Sequence, residues 1–369
     1  MTGRDFELIV RGGLLADGTG APLRRADVAV AEGVVTILPA GSAATAARVL
    51  DATGHVVAPG FVDAHTHSDL TTLDGIGEAQ AHAAVLQGVT VEICGNCGDS
   101  AFPGRLRDFA AFARAHAAQG RANHLASLVG HGTVRASVVG HQDRVATDAE
   151  LAEMCRVLDE ALEAGAVGLS SGLIYAPGSY ADTAELTALA SVAARHRKPY
   201  VTHLRDEMSQ VEAALDEAVR IARDSGAALH VSHHKTAGRY AWGGTLRTLP
   251  RLNRLRAAGM DVTCDVYPYT AGSTALAAML PPWAHDGGRE LLLKRLGDPR
   301  RASGCASPSP RACRGGRTPS ATAAGTGSRW PAPPTIWASR AGASPTSPPN
   351  TAPTPSTSSP SCCSPRTAT

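Results

Sequence analysis

Residues 200–234 read YVTHLRDEMSQVEAALDEAVRIARDSGAALHVSHH, and their rhythm decides the fold class. A short apolar run, YVTHL, is followed by a stretch with apolar residues at helical spacing that ends at Gly226. A second apolar run, LHVSHH, closes the unit. Strand, helix and strand in this order place the two strands parallel in one sheet. The same alternation extends from Phe61 to about Gly297. Strand candidates are FVDAH, VTVEIC, HLASLVG, AVGLSSG, YVTHL, LHVSHH and DVTCDVY, and segments such as ELAEMCRVLDEALEAG and ELTALASVAARHR read as helices between them. A (β/α)8 barrel takes about 250 residues, or roughly 31 per unit. His203 and His233 end consecutive strands one such unit apart. The pattern predicts a TIM-type barrel over residues 60–300 with its eighth strand missing. A doubly wound sheet is the alternative, but no glycine-rich phosphate loop follows the first strand.

The flanks differ in texture. Residues 1–59 hold short β-type runs cut by Gly, Asp and Pro, which predicts a small β-sandwich portion. Residues 301–369 contain no Asp, Glu, Lys, Leu or Val, a single Ile336 and 13 of the 24 prolines. Such a composition cannot bury a core. It reads as a flexible tail or, the reading we prefer, as the product of a frame shift near Arg300 in a GC-rich gene, just where the eighth strand is due.

The 369 residues are 43% hydrophobic with a formal net charge of +2. That balance points to neither nucleic acid nor an anionic membrane as a partner. No apolar run reaches the ~18–20 residues of a membrane helix. The opening MTGRDFELIVRGG lacks the pattern of a signal peptide. A cytoplasmic setting is the expectation, in which the eight cysteines are read as thiols and not as a disulfide framework. Only three lysines occur: Lys198, Lys235 and Lys294. Nothing in the residues sets an oligomeric state.

The chemistry gathers at strand ends. In PGFVDAHTHSD, His65 and His67 stand two apart, and strand alternation would put both on one face. Two imidazoles at the C-terminal mouth of a barrel form half a site for zinc or a similar metal, where the plainer reading is a pair of surface histidines. His203 and His233 end later strands and converge on the same mouth. His234 points the other way by strand parity, and His131 lines the pocket without binding metal. EICGNCGDS carries Cys94 and Cys97, which read as a redox dithiol, half a zinc knuckle or two unrelated thiols. No second cysteine pair lies nearby, and the next cysteine is Cys155, so a knuckle is disfavoured. Parity puts Cys94 on the second strand and Cys97 in the loop after it.

With these motifs in view, the chain resembles the amidohydrolase superfamily, and within it the N-acyl-D-amino-acid deacylases, or D-aminoacylases. The matching stretches are APGFVDAHTHSD, GVTVEICGNCG, VGHGTVRA, GLSSGLIYAPG, THLRDE, SHHK and DVYPYTAGS, in order along about three quarters of the chain. The resemblance implies a barrel with a small β-sandwich built from both chain ends. It implies metal ligation by His65 and His67 on the first strand and by His203 and His233 on the fifth and sixth. Many relatives bridge two metals with a carboxylated strand-four lysine. Here that strand ends Ser170-Ser171-Gly172, and the resemblance gives Cys97 in its place. Zinc is then expected in one tight site of Cys97, His203 and His233, with a second, weaker site at His65 and His67. Lys235 resembles a substrate-contacting residue and Tyr267 one that polarises the scissile carbonyl, with Ser273 lining the same pocket.

The implied reaction is zinc-assisted hydrolysis of a small N-acyl-D-amino acid. The family's proton carrier is an Asp at the end of strand eight, and no acidic residue follows Asp298. Asp63, Asp69 and Asp206 do not match that role. The expectation is a deacylase whose activity is impaired. The alternatives are a cyclic-amide hydrolase of the hydantoinase or dihydroorotase type, and a zinc-binding relic without catalysis.

Overall fold

A computed structural model describes residues 5–73 and 77–305. The first part of the chain forms one sheet. Its strands are β1 (Phe6–Arg11), β2 (Leu14–Leu15), β3 (Arg24–Ala31), β4 (Val34–Pro39), β5 (Ala46–Asp51) and β6 (Val56–Val57). They lie in the order β5-β1-β3-β2-β6, with β4 also paired to β3. Ile9 and Ala29 face each other across β1 and β3 and are fully buried. Val34, Val35 and Val49 are more than half exposed.

Seven parallel strand positions follow, and they fall where the sequence rhythm put them. They are β7 (Phe61–Asp63), β8 (Val89–Cys94), the pair β9 (His124–Ser127) and β10 (Val129–Gly130), β11 (Leu169–Gly172), β12 (Tyr200–His203), β13 (Leu229–Val231) and β14 (Val262–Cys264). β7-β8-β9 and β10-β11-β12-β13-β14 are two runs of neighbours. The third position is split because it changes partner midway. Leu128, between its halves, donates its N–H to the Cys94 carbonyl at 2.9 Å, and Val129 donates to Gly168 at 2.8 Å. The strand thus joins both runs into one consecutive parallel series, the sheet of a (β/α)8 barrel.

Among the described residues β7 pairs only with β8, and β14 only with β13. Phe61 is 64% and Val62 58% exposed on the first of these edges. No eighth strand closes the gap within the described residues, as the sequence predicted. The expected low-complexity tail is described only through Cys305; its remainder, 306–369, lies outside the described residues.

The helices are α1 (Ser68–Leu73), α2 (Gly77–Leu86), α3 (Phe109–Ala118), α4 (His131–Val138), α5 (Asp148–Glu163), α6 (Thr183–Arg195), α7 (Val211–Ser225), α8 (Thr245–Ala257), α9 (Arg289–Gly297) and α10 (Pro299–Cys305). Their starts follow local chemistry. Thr147 and Glu150 form a capping box on α5, and Asp182 accepts the Glu185 N–H at the start of α6. Gly226 ends α7 in the left-handed conformation. Leu158, Leu186, Leu189, Leu215 and Ile221 turn from α5, α6 and α7 onto the strands and are fully buried. Among the described residues no helix is long and apolar enough to cross a membrane.

One core residue is at odds with its surroundings. His116, on the inner face of α3, packs 4.3 Å from Phe112 between ring centroids, and neither ring nitrogen has a hydrogen-bond partner. Burial, aided by nearby Arg121, lowers its pKa from 6.5 to about 4. A lowered imidazole pKa subtracts stability as pH falls below 6.5, because the unfolded chain takes up the proton first. Replacing His116 by Phe is expected to stabilise the fold by about 1 kcal/mol at pH 8. The gain is larger at pH 5. Urea midpoints at the two pH values check both the sign and the difference.

Candidate metal centre

The site is built on the loop that leaves β8. Cys94, the last strand residue, is fully buried, with its thiol directed to the Ala126 carbonyl at 3.4 Å. The chain then turns through Gly95, Asn96, Cys97 and Gly98 with φ of +73° at Gly95, +55° at Cys97 and +77° at Gly98. A side chain at 95 would meet the Leu128 carbonyl oxygen at 2.3 Å, and one at 98 the Gly172 nitrogen at 2.6 Å. Both glycines are required by space as well as by φ.

Three polar side chains hold this turn. Asp69 accepts N–H bonds from Ala101 at 3.0 Å and Gly95 at 3.4 Å. Asn96 donates to the Ile93 carbonyl at 3.0 Å. The Ser170 hydroxyl accepts from Gly98 N–H at 3.1 Å and donates to the Gly95 carbonyl. Burial raises the Asp69 pKa to about 6 against the pull of its N–H bonds. Cys97 is thus fixed in a left-handed conformation rare for a residue with a Cβ. Gly98→Ala is expected to destabilise the protein by at least ~1–2 kcal/mol and to lower the fraction of chains that bind zinc, read from urea denaturation and zinc stoichiometry.

The end of strand four has no room for a bridging lysine. A Cβ at Gly172 would lie 2.0 Å from the Cys97 carbonyl oxygen. Ser170 is spent on the cysteine loop, and Ser171 bonds Tyr200 and Thr202 at 2.8 Å each.

Around Cys97 stand the imidazoles. His203 is the last residue of β12. His233 lies two residues past β13 at φ +35°. β7 ends at Asp63, so His65 and His67 sit in the loop beyond the strand. The alternation rule used to place both on one face does not reach them. The loop still brings His65 in: its Nε2 lies 3.4 Å from Cys97 Sγ, and His233 Nε2 lies 3.5 Å from the same atom. Ligand atoms of His65, Cys97 and His233 are within 4.8 Å of one another, and so are those of His203, Glu207 and His233. His67 belongs to neither group, its ring centroid 5.7 Å from that of His65.

The donor set fits a soft divalent ion such as zinc. His203 is 5% exposed, and neither of its ring nitrogens has a hydrogen-bond partner. Burial lowers the pKa of His203 to about 3 and of His67 to about 4, which keeps both in the neutral form that ligates. Burial, then Glu207 and Asp265, pushes the Cys97 thiol up to about 12. Metal coordination reverses such a shift and deprotonates the thiol. The Cys94 thiol is raised further still, by burial first.

Two carboxylates that sequence reasoning did not single out stand beside these imidazoles. Glu207 lies 2.9 Å from His233 Nδ1 and 2.7 Å from the Lys235 ammonium. Burial opposes its charge, but the His233 bond and the nearby His203 and Lys235 bring its pKa down to about 2. Asp265, just past β14, bonds His65 at 3.1 Å and His230 at 2.8 Å. Those bonds outweigh burial and hold it well below the usual carboxylate range. Tyr175 is a third unforeseen member, its ring 5.1 Å from His203. Its hydroxyl bonds Thr274 at 2.9 Å, while neighbouring Ser273 is exposed.

Lys235 also lies 5.6 Å from the centroid of the Tyr267 ring, and Tyr267 lies 6.5 Å from His233 between ring centroids. His131 does not line this space. It is fully buried, 2.8 Å from Glu185. His234 turns away to Thr248 at 3.0 Å, as expected. Asp63 accepts the His65 N–H, and Asp206 caps the turn at Met208 and Gln210.

The chain is similar to proteins of one family. The profile of the Amidohydrolase family matches residues 48–300. N-acyl-D-glutamate deacylase of Alcaligenes xylosoxydans xylosoxydans is 40% identical over 288 residues, 73% of this chain and 58% of that protein. D-aminoacylase of the same organism is 37% identical, over 73% of this chain and 59% of its own length. The crystal structure of N-acyl-D-glutamate deacylase from Bordetella Bronchiseptica, complexed with zinc and a phosphonate inhibitor, superposes with a TM-score of 0.67 at 39% identity. That match covers 72% of this chain and 59% of the other. The chain spans less than two thirds of the length of these relatives.

Proposed function

Because the chain belongs to the amidohydrolase family, we propose that its barrel mouth holds zinc and serves hydrolysis of the amide bond of N-acyl-D-amino acids, giving a carboxylate and a free D-amino acid. The observation that carries this reading is the Cys97 thiol set between Nε2 of His65 and Nε2 of His233. The relatives' names supply the substrate class. His65, His67, Cys97, His203 and His233 are the proposed ligands: the tight site is expected of Cys97, His203 and His233 with a weaker one at His65 and His67, and the ligand atoms group His65, in place of His203, with Cys97 and His233. The absence of room for a strand-four lysine supports this reading over a cyclic-amide hydrolase. A reducing, cytoplasmic setting suits a site that depends on a free thiol.

Zinc, when bound, lowers the pKa of a water towards ~7 and polarises a carbonyl. The chain's own groups prepare the substrate. Tyr267 keeps its phenolic proton, its pKa raised by burial and then by Glu207, and donates to the acyl oxygen. Lys235 donates to Glu207 and lies 2.9 Å from both Nδ1 and the carbonyl oxygen of His233, which holds its ammonium beside the site as the positive charge that meets a substrate carboxylate. Glu207 and Asp265 keep the imidazoles oriented.

No acidic residue follows Asp298 to carry the proton from water to the leaving amine. General acid–base groups contribute ~10²–10⁴ in rate, so this chain is expected to be at least ~100-fold slower than the longer relatives. The test is hydrolysis of N-acetyl-D-glutamate, its L-enantiomer and a hydantoin by the zinc-loaded chain, beside a relative. Slow turnover confined to the D-substrate supports the proposal. Opening of the hydantoin alone contradicts the substrate class, turnover equal to the relative's contradicts the impairment, and zinc binding without any turnover favours the relic.

A further inference from the structure

The imidazole of His65 meets Cys97 through Nε2 because its other nitrogen is occupied. His65 Nδ1 lies 3.1 Å from Asp265 Oδ2. A carboxylate in that position takes an N–H, so the proton sits on Nδ1 and Nε2 keeps its lone pair. The same carboxylate reaches the second imidazole beside Cys97 through the main chain. Asp265 Oδ1 accepts the His233 N–H at 2.6 Å, and that residue's φ of +35° is one that a side-chain-bearing residue adopts only when its surroundings hold it there.

Asp265 is itself held on both sides. His230 Nε2 donates to Oδ2 at 2.8 Å, and His230 Nδ1 faces the Thr263 hydroxyl at 2.7 Å. The main chain of Asp265 donates to Val231 at 3.2 Å and accepts from His234 at 2.8 Å. Every contact on both carboxylate oxygens comes from a donor, so an amide in its place has no acceptor for its N–H groups unless the imidazoles exchange tautomer.

We propose that Asp265 is a positioning residue for the metal centre, fixing His65 as its Nδ1–H tautomer and His233 in its turned-back backbone so that both Nε2 atoms face Cys97. This rests on the zinc-site reading above. Asp265→Asn retains size and shape but offers N–H where His65 donates. His65 then carries its proton on Nε2, the atom that faces the thiol, and cannot ligate. Loss of an orienting group of this kind weakens metal affinity ~10–100-fold.

The experiment has two arms on the full chain. Competition titration with zinc chloride and a chromophoric chelator, on the folded fraction of each chain, is expected to give a dissociation constant ~10–100-fold higher for Asp265→Asn than for the unchanged chain. Long-range ¹H–¹⁵N correlation spectra of the metal-free, unchanged chain are expected to show His65 protonated on Nδ1. Equal zinc affinities in the two chains, or His65 protonated on Nε2, overturn the proposal. If the unchanged chain binds no zinc, the zinc reading falls, and the tautomer still decides the role of Asp265. If the variant fails to fold, the spectrum of the unchanged chain decides alone.

Discussion

Cys97→Ala is expected to abolish tight zinc binding, while Cys94→Ala leaves zinc stoichiometry unchanged. The two thiols are three residues apart, but their surroundings assign them different work. Cys97 Sγ is the atom both flanking imidazoles approach, at 3.4 and 3.5 Å. It is also the only sulfur among the described residues within reach of that centre. Its removal takes away the one donor that metal binding converts to an anion, so affinity falls by more than the 10–100-fold that orienting residues are worth. Cys94 is packed with Val129 and Leu169 in the apolar core and contacts no imidazole. Its replacement by Ala leaves a small void and is expected to lower stability by about 1 kcal/mol. Equilibrium dialysis with zinc and urea denaturation of both variants separate a ligand from a core residue.

The second large effect concerns stability. Glu185→Ala is expected to destabilise the protein by ~3–5 kcal/mol. Glu185 receives His131 at 2.8 Å and pairs with Arg135, and both partners are fully buried. Arg135 also donates to the Arg144 carbonyl, but its Nε already lacks a partner. Without the carboxylate, a guanidinium stays in the barrel wall with no counter-charge. Glu185→Gln keeps an acceptor and should fall between the two. Denaturant midpoints order the three proteins.

The barrel was legible because strands buried on both faces read as apolar runs and the helices between them keep their own period. His203 and His233 could be placed from that rhythm alone. What the rhythm did not convey were events at strand ends. The third strand changes partner at Leu128, a fact of pairing with no compositional mark. β7 stops before His65, so loop geometry and not alternation brings that ring to the site. The carboxylates were hidden for another reason. An orienting Asp looks like a solvated one in sequence, and His65 and Asp265 meet across 200 positions. Glu207, four residues after His203 in THLRDE, and Asp265, at the head of DVYPY, lay inside motifs already singled out. His131 had the type and place of a pocket residue, but Glu185 and Arg135 draw it into the wall.

X-ray absorption at the zinc edge of the reconstituted chain tests the central claim most directly. The account predicts one sulfur at ~2.3 Å together with imidazole nitrogens at ~2.0–2.1 Å, the sulfur shell vanishing in Cys97→Ala and persisting in Cys94→Ala. A shell of nitrogen and oxygen alone in the unchanged chain would contradict it.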